Sequence, residues 1–368
     1  MTKLLNPFII FSVILASNSL TAKITPTVEG KLAWYNAEDW GVEGRGWETD
    51  QLARYFDRLP ASAEKKVRKP VWNLSRHSAG MAVRFETDAT EIHAHYKLYS
   101  ANLAMSHMPA TGVSGADLYA KDEKGVWRWV AVTRPSSQIV KTRMITGLRP
   151  GKREYMLYLP LYNGVDSFSV GVPKDNSFEG LAPRKDKTIL FYGTSITHGA
   201  CASRPGMPHP AIIGRRMNMP VINLGFSGNG RMEKEVGDYL IQLDPAVYVI
   251  DCLPNMNADM LKERAVPLIQ QIRKARPDTP IVMVEDRTNT NAWILPSRME
   301  RHRSSRVVFK EAYETLVKSG MKKLYYVEGE PLLGDDSEGA TDGSHPSDLG
   351  FMRQANVIEP AIRKALGK

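Results

Sequence analysis

Apolar positions divide this chain near residue 180. Beyond that point, short apolar runs at 188–192, 221–226, 247–253, 281–285 and 324–327 alternate with segments of helical periodicity. Those segments lie at 211–217, 233–243, 259–275, 307–319 and 348–366. The runs show little polar alternation, so both faces of each strand need cover. Strands of this kind alternating with helices predict an α/β unit over 185–368, with a five-stranded parallel sheet and helices on both sides. In such sheets ligands sit beyond the carboxyl ends of the strands. Chemistry-bearing residues are therefore sought just after each run.

The pattern before residue 180 is different. Segments at 81–87, 91–99, 126–132, 155–161 and 167–172 are short, partly alternating, and rich in β-branched or aromatic residues. They predict an antiparallel β-sandwich over 23–180. The polar stretch 174–184, with Pro and Gly, reads as a linker. The first 22 residues read as an address. Lys3 precedes an apolar run over 4–16, broken by Asn6, Pro7 and Ser12, and small or polar residues lead to Thr21-Ala22. That is the form of a secretory signal peptide cut after Ala22, although Leu20 is a poor third residue before the cut. The run is too short for a comfortable membrane span. An exported protein, periplasmic or secreted and without a stable membrane anchor, is expected.

Composition changes the picture only slightly. With 368 residues, 42% hydrophobic and 24% charged, the chain is neither disordered nor fibrous. A net charge of +9 permits nucleic acid, anionic surfaces or acidic polysaccharide as partners and proves none. Six of the seven Trp fall in the first half: Trp34, Trp40, Trp47, Trp72, Trp127 and Trp129. They suit a sandwich core better than a sugar-stacking surface. The two cysteines, Cys201 and Cys252, either pair in an oxidising compartment or stand as two small buried thiols. Their spacing leaves both readings open.

Four short blocks carry candidate chemistry. Gly193-Thr194-Ser195 follows the first strand of the second half and places a serine at a strand-to-helix turn. A serine hydroxyl there needs an adjacent base before it can act as a nucleophile. Asn223-Leu224-Gly225-Phe226-Ser227-Gly228 follows the second strand, where Gly228 offers a bare backbone N–H. Asp251-Cys252-Leu253-Pro254-Asn255 follows the third and supplies the Asn255 amide, with Asn257 as the alternative. Asp342-Gly343-Ser344-His345 precedes the last helix. His345 is a candidate general base, and Asp342 a candidate to fix its tautomer. No dinucleotide fingerprint, phosphate loop or H-E-x-x-H pattern occurs, so no cofactor, metal or nucleic-acid partner is expected.

Taken together, Ser, Gly, Asn and Asp-x-x-His in this order resemble the SGNH hydrolase superfamily, the GDSL-type esterases. The resemblance covers about residues 185–368. It departs from the family pattern where Thr194 replaces Asp in Gly-Asp-Ser. It departs again where Leu253-Pro254-Asn255-Met256 replaces Gly-x-Asn-Asp. The whole chain is further similar to an exported, carbohydrate-esterase-like subgroup with an N-terminal sandwich, through Arg204-Pro205-Gly206-Met207 and the run 105–119.

The resemblance implies a flavodoxin-like catalytic domain behind a jelly-roll-like sandwich. It implies Ser195, His345 and Asp342 as catalytic residues. Ser195, Gly228 and Asn255 would form the oxyanion hole. His198, His209 and Arg287 are candidates to border the substrate, Arg287 more readily as half of a structural ion pair. The implied activity removes small acyl groups, foremost O-acetyl, from a polysaccharide or oligosaccharide. A methyl esterase acting on an acidic glycan such as pectin is the alternative, and so is a carbohydrate-binding protein that has lost catalysis.

Overall fold

The structure, a computed structural model, describes residues 24–368, so the expected signal peptide lies outside the described residues. Ten strands come first: β1 (Thr27–Glu29), β2 (Leu32–Asn36), β3 (Ala82–Thr87), β4 (Glu91–Leu98), β5 (Asp117–Lys121), β6 (Trp127–Val132), β7 (Ile139–Thr146), β8 (Arg153–Tyr158), β9 (Val165–Pro173) and β10 (Phe178–Leu181). Two short helices, α1 (Lys69–Ser75) and α2 (Ala110–Val113), sit in their connections. The strands form two antiparallel sheets, ordered β1-β2-β9-β4-β7 and β10-β3-β8-β5-β6. In β4 the burial alternates residue by residue and turns Ile92, Ala94, Tyr96 and Leu98 inward. They meet Phe85 and Leu157 of the facing sheet in one core, which makes the pair of sheets a sandwich.

Sequence patterning found five of these ten strands. The stretch expected to be a linker holds β10, which pairs with β3 at the sheet edge. Four of the six first-half tryptophans, Trp34, Trp40, Trp47 and Trp72, are buried, and Trp129 is exposed.

The remaining strands are β11 (Ile189–Gly193), β12 (Val221–Gly225), β13 (Val247–Asp251), β14 (Ile281–Val284) and β15 (Leu324–Val327). They form one parallel sheet in the order β12-β11-β13-β14-β15. The helices are α3 (Ser195–His198), α4 (His209–Met217), α5 (Lys234–Leu240), α6 (Ala258–Ala275), α7 (Pro296–Lys318) and α8 (Asp348–Ala365). Every residue of β11 and β13 is buried. Leu190, Tyr192, Tyr248 and Ile250 face a core shared with α5, α6 and α7. Ile189, Phe191, Val247 and Val249 face a second core, shared with α4 and α8. Helix α7 begins at Pro296, well before the expected 307, because its first turns bury His302 and Ser305, which carry no apolar period.

Buried polar bonds join the sandwich to the sheet. Arg58 is 1% exposed. Its guanidinium donates to the carbonyls of Asn223 (3.0 Å) and Gly225 (2.8 Å) at the end of β12, and to those of Leu74 and His77. Burial lowers its pKa to about 9. The fully buried Asp117 of β5 accepts from the Gly206 N–H at 2.8 Å, Arg204 at 2.9 Å and the Trp129 indole at 2.9 Å. Arg58→Leu strands several buried carbonyls, each costing about 1–3 kcal/mol when unpaired. A loss of about 2–4 kcal/mol, read from the denaturant midpoint of the variant, is the expected result.

Candidate active site

The first three blocks lie at the carboxyl edge of the parallel sheet. Gly193 ends β11 in register with Asp251 of β13 and Gly225 of β12. A Cβ at Gly193 would come within 2.0 Å of the Thr197 hydroxyl, so only glycine lets α3 start this close to the strand. Thr194 is the N-cap of α3, and its hydroxyl accepts from the Ile196 N–H at 3.2 Å. This capping function is one that an aspartate at the same position also performs, so the departure from Gly-Asp-Ser leaves the turn intact. Ser195 follows as the first helical residue, 7% exposed.

Across from it, residues 340–346 form a tight loop before α8, closed by the Ala340–Pro346 bridge. Ser195 Oγ lies 2.8 Å from His345 Nε2. His345 Nδ1 lies 2.8 Å from Asp342 Oδ2. The other Asp342 oxygen accepts from the backbone N–H groups of Ser344 (2.9 Å) and His345 (2.7 Å). Partial burial works against the Asp342 charge, yet the bonds from His345 and Ser344 outweigh it and hold the carboxyl at about 2. Asp342 is therefore an ionised acceptor, which keeps the His345 proton on Nδ1 and leaves Nε2 able to take one from Ser195.

Gly228 has φ +68, and nothing lies within 4 Å of where a Cβ would be. Its N–H thus belongs to an open turn that favours glycine. The Asn255 amide is oriented by its neighbours. With Oδ1 turned to accept from the Asn229 N–H (3.1 Å) and the Gly230 N–H (3.3 Å), Nδ2 is left to donate. Asn257 is occupied elsewhere, capping α6 through the Met260 N–H at 2.9 Å.

The expected substrate-bordering residues sit deeper than the sequence implied. His198 and His209 are fully buried, so neither borders an open pocket. His198 Nε2 bonds the Leu161 carbonyl at 2.7 Å, and its ring stacks on Tyr162. Burial pushes the pKa of both histidines down. Arg287, 3% exposed, donates to the Ser344 carbonyl at 2.9 Å and pairs with Asp286. Asp286 in turn meets His302 Nδ1 at 3.0 Å. Arg287 thus holds the His345 loop from beneath. Cys201 and Cys252 are both free and buried, and no disulfide joins them. Cys252 points at the Tyr192 carbonyl, whereas Cys201 lies beside Asp342 and His345.

Among the described residues, Cys201, Asp342 and His345 are the one group with metal-ligand atoms close together, within 4.8 Å. His345 and Asp342 are bonded to each other there, and burial pushes the Cys201 thiol up to about 11, far from the thiolate a metal takes. Asp251 opens the third block. Fully enclosed at the end of β13, it accepts from the Thr197 hydroxyl of α3 at 2.9 Å. Two first-domain residues to which the sequence assigns no site role also approach the site. The Tyr162 hydroxyl donates to the Ser195 carbonyl at 3.3 Å, and the His107 ring lies 6.1 Å from that of His345.

A doubly covered parallel sheet with a serine, a histidine and a carboxylate in line at its edge, set behind a sandwich, has the architecture of an SGNH-type ester hydrolase. Residues 186–363 match the GDSL-like Lipase/Acylhydrolase family, and residues 32–178 match GxDLY, the N-terminus of the Esterase_SGNH_hydro-type. The letters of the second name stand at Gly115, Asp117, Leu118 and Tyr119, the strand that grips the 203–207 loop. The chain is similar to a GDSL-like lipase from Bacteroides ovatus, with 32% identity over 91% of this chain and 98% of that one and a TM-score of 0.86.

More distant solved structures share the fold. A salicylyl-acyltransferase of a tetracycline biosynthetic pathway is 17% identical, covering 93% of this chain and 97% of that one with a TM-score of 0.69. An acetyl xylan esterase from the rumen bacterium Butyrivibrio proteoclasticus is 11% identical, covering 92% and 99% with a TM-score of 0.58. No protein of curated function matches the chain by sequence. The chain belongs to the GDSL-like, SGNH hydrolase family and is a carboxylic ester hydrolase.

Asp251 gives the site a pH signature. Burial raises its pKa to about 7, against the Thr197 hydrogen bond. The unfolded chain releases this proton near pH ~4 and the folded chain near 7, so stability falls as pH rises through that window and then levels off. Asp251→Asn removes this contribution. Going from about pH 5 to about pH 8, the denaturation midpoint of the variant should therefore shift in the stabilising direction relative to the shift of the wild type over the same interval, whatever the buried histidines add to both.

Proposed function

We propose that the protein is a serine esterase that removes small acyl groups, foremost O-acetyl, from a polysaccharide or oligosaccharide. The observation that carries the mechanism is the unbroken line from Ser195 Oγ through His345 to Asp342, with both hydrogen bonds at 2.8 Å. Ser195 Oγ attacks the ester carbonyl carbon while His345 Nε2 takes its proton. The Ser195 N–H, the Gly228 N–H and Asn255 Nδ2 stabilise the oxyanion, one donor from each of the first three blocks. Collapse expels the alcohol, which leaves with the proton from His345. Water, deprotonated by the same ring, then attacks the acyl-enzyme and releases the carboxylic acid and free Ser195. Asp342 stays ionised throughout and stabilises the imidazolium.

The substrate class rests on the shared fold with an acetyl xylan esterase and on the leader-like residues 1–22, which suit an enzyme exported to meet glycans. Among the described residues no helix is long and apolar enough to cross a membrane. The experiment is hydrolysis of p-nitrophenyl acetate, butyrate and longer esters by the mature protein, with acetate release from acetylated xylan in parallel. The acetyl ester should be preferred. Ser195→Ala should lower kcat by at least about 10,000-fold. Asn255→Ala should lower it by about 100–1,000-fold, the typical loss for one oxyanion donor. A Ser195→Ala protein as active as the wild type would remove Ser195 as nucleophile. Methanol release from esterified pectin without acetate release would replace the acetyl reading with a methyl esterase.

A further inference from the structure

The first domain reaches the mouth of the site at two points. The turn closed by the paired backbones of Met105 and Met108 presents His107, whose ring plane is inclined by 29° to that of His345. Tyr162, after β8, touches the Ser195 backbone. A cleft of about 420 Å³ opens beside Tyr162, and Asn73, His77, Tyr99, Asn102 and Met105 also line it. Its volume falls in the range of small-ligand sites.

The chemistry of the walls selects the occupant. Tyr99 is 50% exposed although the Arg54 guanidinium lies 3.9 Å from its ring centroid. A ring held in this way offers an apolar face at small entropic cost. Asn73 and Asn102 hold exposed side-chain amides, each able to donate and to accept. An aromatic face with amides around it matches a ring whose faces carry C–H groups and whose rim carries hydroxyls. An acetyl group is too small to need such a cleft, and a long acyl chain would leave the amides unpaired.

We propose that this cleft binds the sugar alcohol of the ester, so that the first domain, and not the parallel-sheet domain alone, supplies the leaving-group subsite. The proposal rests on the esterase reading above. It assigns Tyr99 and Asn102 as specificity-determining residues, with Tyr162 linking the subsite to the backbone of Ser195.

The test compares two acetates that differ only in their alcohol. Methyl acetate cannot fill the cleft, whereas a monoacetylated methyl xyloside, with its other hydroxyls free, can. Acetate release from each gives a kcat/KM ratio, sugar ester over methyl ester. Tyr99→Ala and Asn102→Ala are each expected to lower that ratio about 10-fold, the size of one lost hydrogen bond or ring contact. Asn102 is exposed and outside the core, so its variant keeps the test open if Tyr99→Ala disturbs Arg54. An unchanged ratio in both variants, with the wild type active, overturns the subsite and leaves the esterase reading standing. A folded wild type inactive on both esters removes that reading and the subsite together.

Discussion

The Asp117 carboxylate is the constraint on which the rest of the molecule depends. It sits fully buried in an edge-proximal strand of the sandwich, yet its bonds to the Gly206 N–H and Arg204 tie down a loop of the other domain. That loop is also tied to α8, through the Ser203 N–H and Asp348 at 3.0 Å, and to α2, through Thr111 and the Ser203 carbonyl at 2.7 Å. The loop after α3 and the start of α8 are therefore braced against the same surface. A bond as short as that between Ser195 and His345 requires this, because the two side chains come from elements 150 residues apart. Arg58 performs the matching task at the end of β12, where it holds the strand leading to Gly228.

Legibility in the sequence followed the physics of burial. The five parallel strands were readable because burial on both faces leaves unbroken apolar runs, and each lies within two residues of its expected start. The missed sandwich strands are edge strands or carry mixed patterns. Strand β7 alternates exposed and half-buried residues along most of its length, and β1 is wholly exposed. The order of the blocks was readable because the first three follow their strands directly and the fourth stands just before the last helix. Arg287 was named, but its partner Ser344 lies 57 residues on, and nothing local says that an arginine after β14 supports the histidine loop rather than a substrate. Tyr162 and His107 were unreadable for the same reason: their importance comes from packing between domains.

The two departures from the family pattern have different physical weight. At Thr194 the hydroxyl caps α3 as a carboxylate would, so the change costs the turn nothing. At Asn255 the flanking residues differ, but the position is fixed by what it touches. Two consecutive backbone donors, at Asn229 and Gly230, fall within reach of the amide oxygen and dictate which end faces away. A side chain held in this way needs no particular neighbour in sequence, because its orientation is set by the loop after β12.

The same reasoning separates the two nucleophile-bearing side chains near His345. Cys201 is a stronger nucleophile than serine only as a thiolate. Its surroundings oppose that form, since burial raises its pKa to about 11 and the ionised Asp342 adds to the effect. In the proposed mechanism Ser195 needs no standing anion. Its hydroxyl is bonded to the imidazole nitrogen that Asp342 leaves unprotonated, so the proton can leave as the new bond forms. One carboxylate thus acts in two directions. In the proposed mechanism it favours attack by Ser195 through His345, and through space it opposes the Cys201 thiolate.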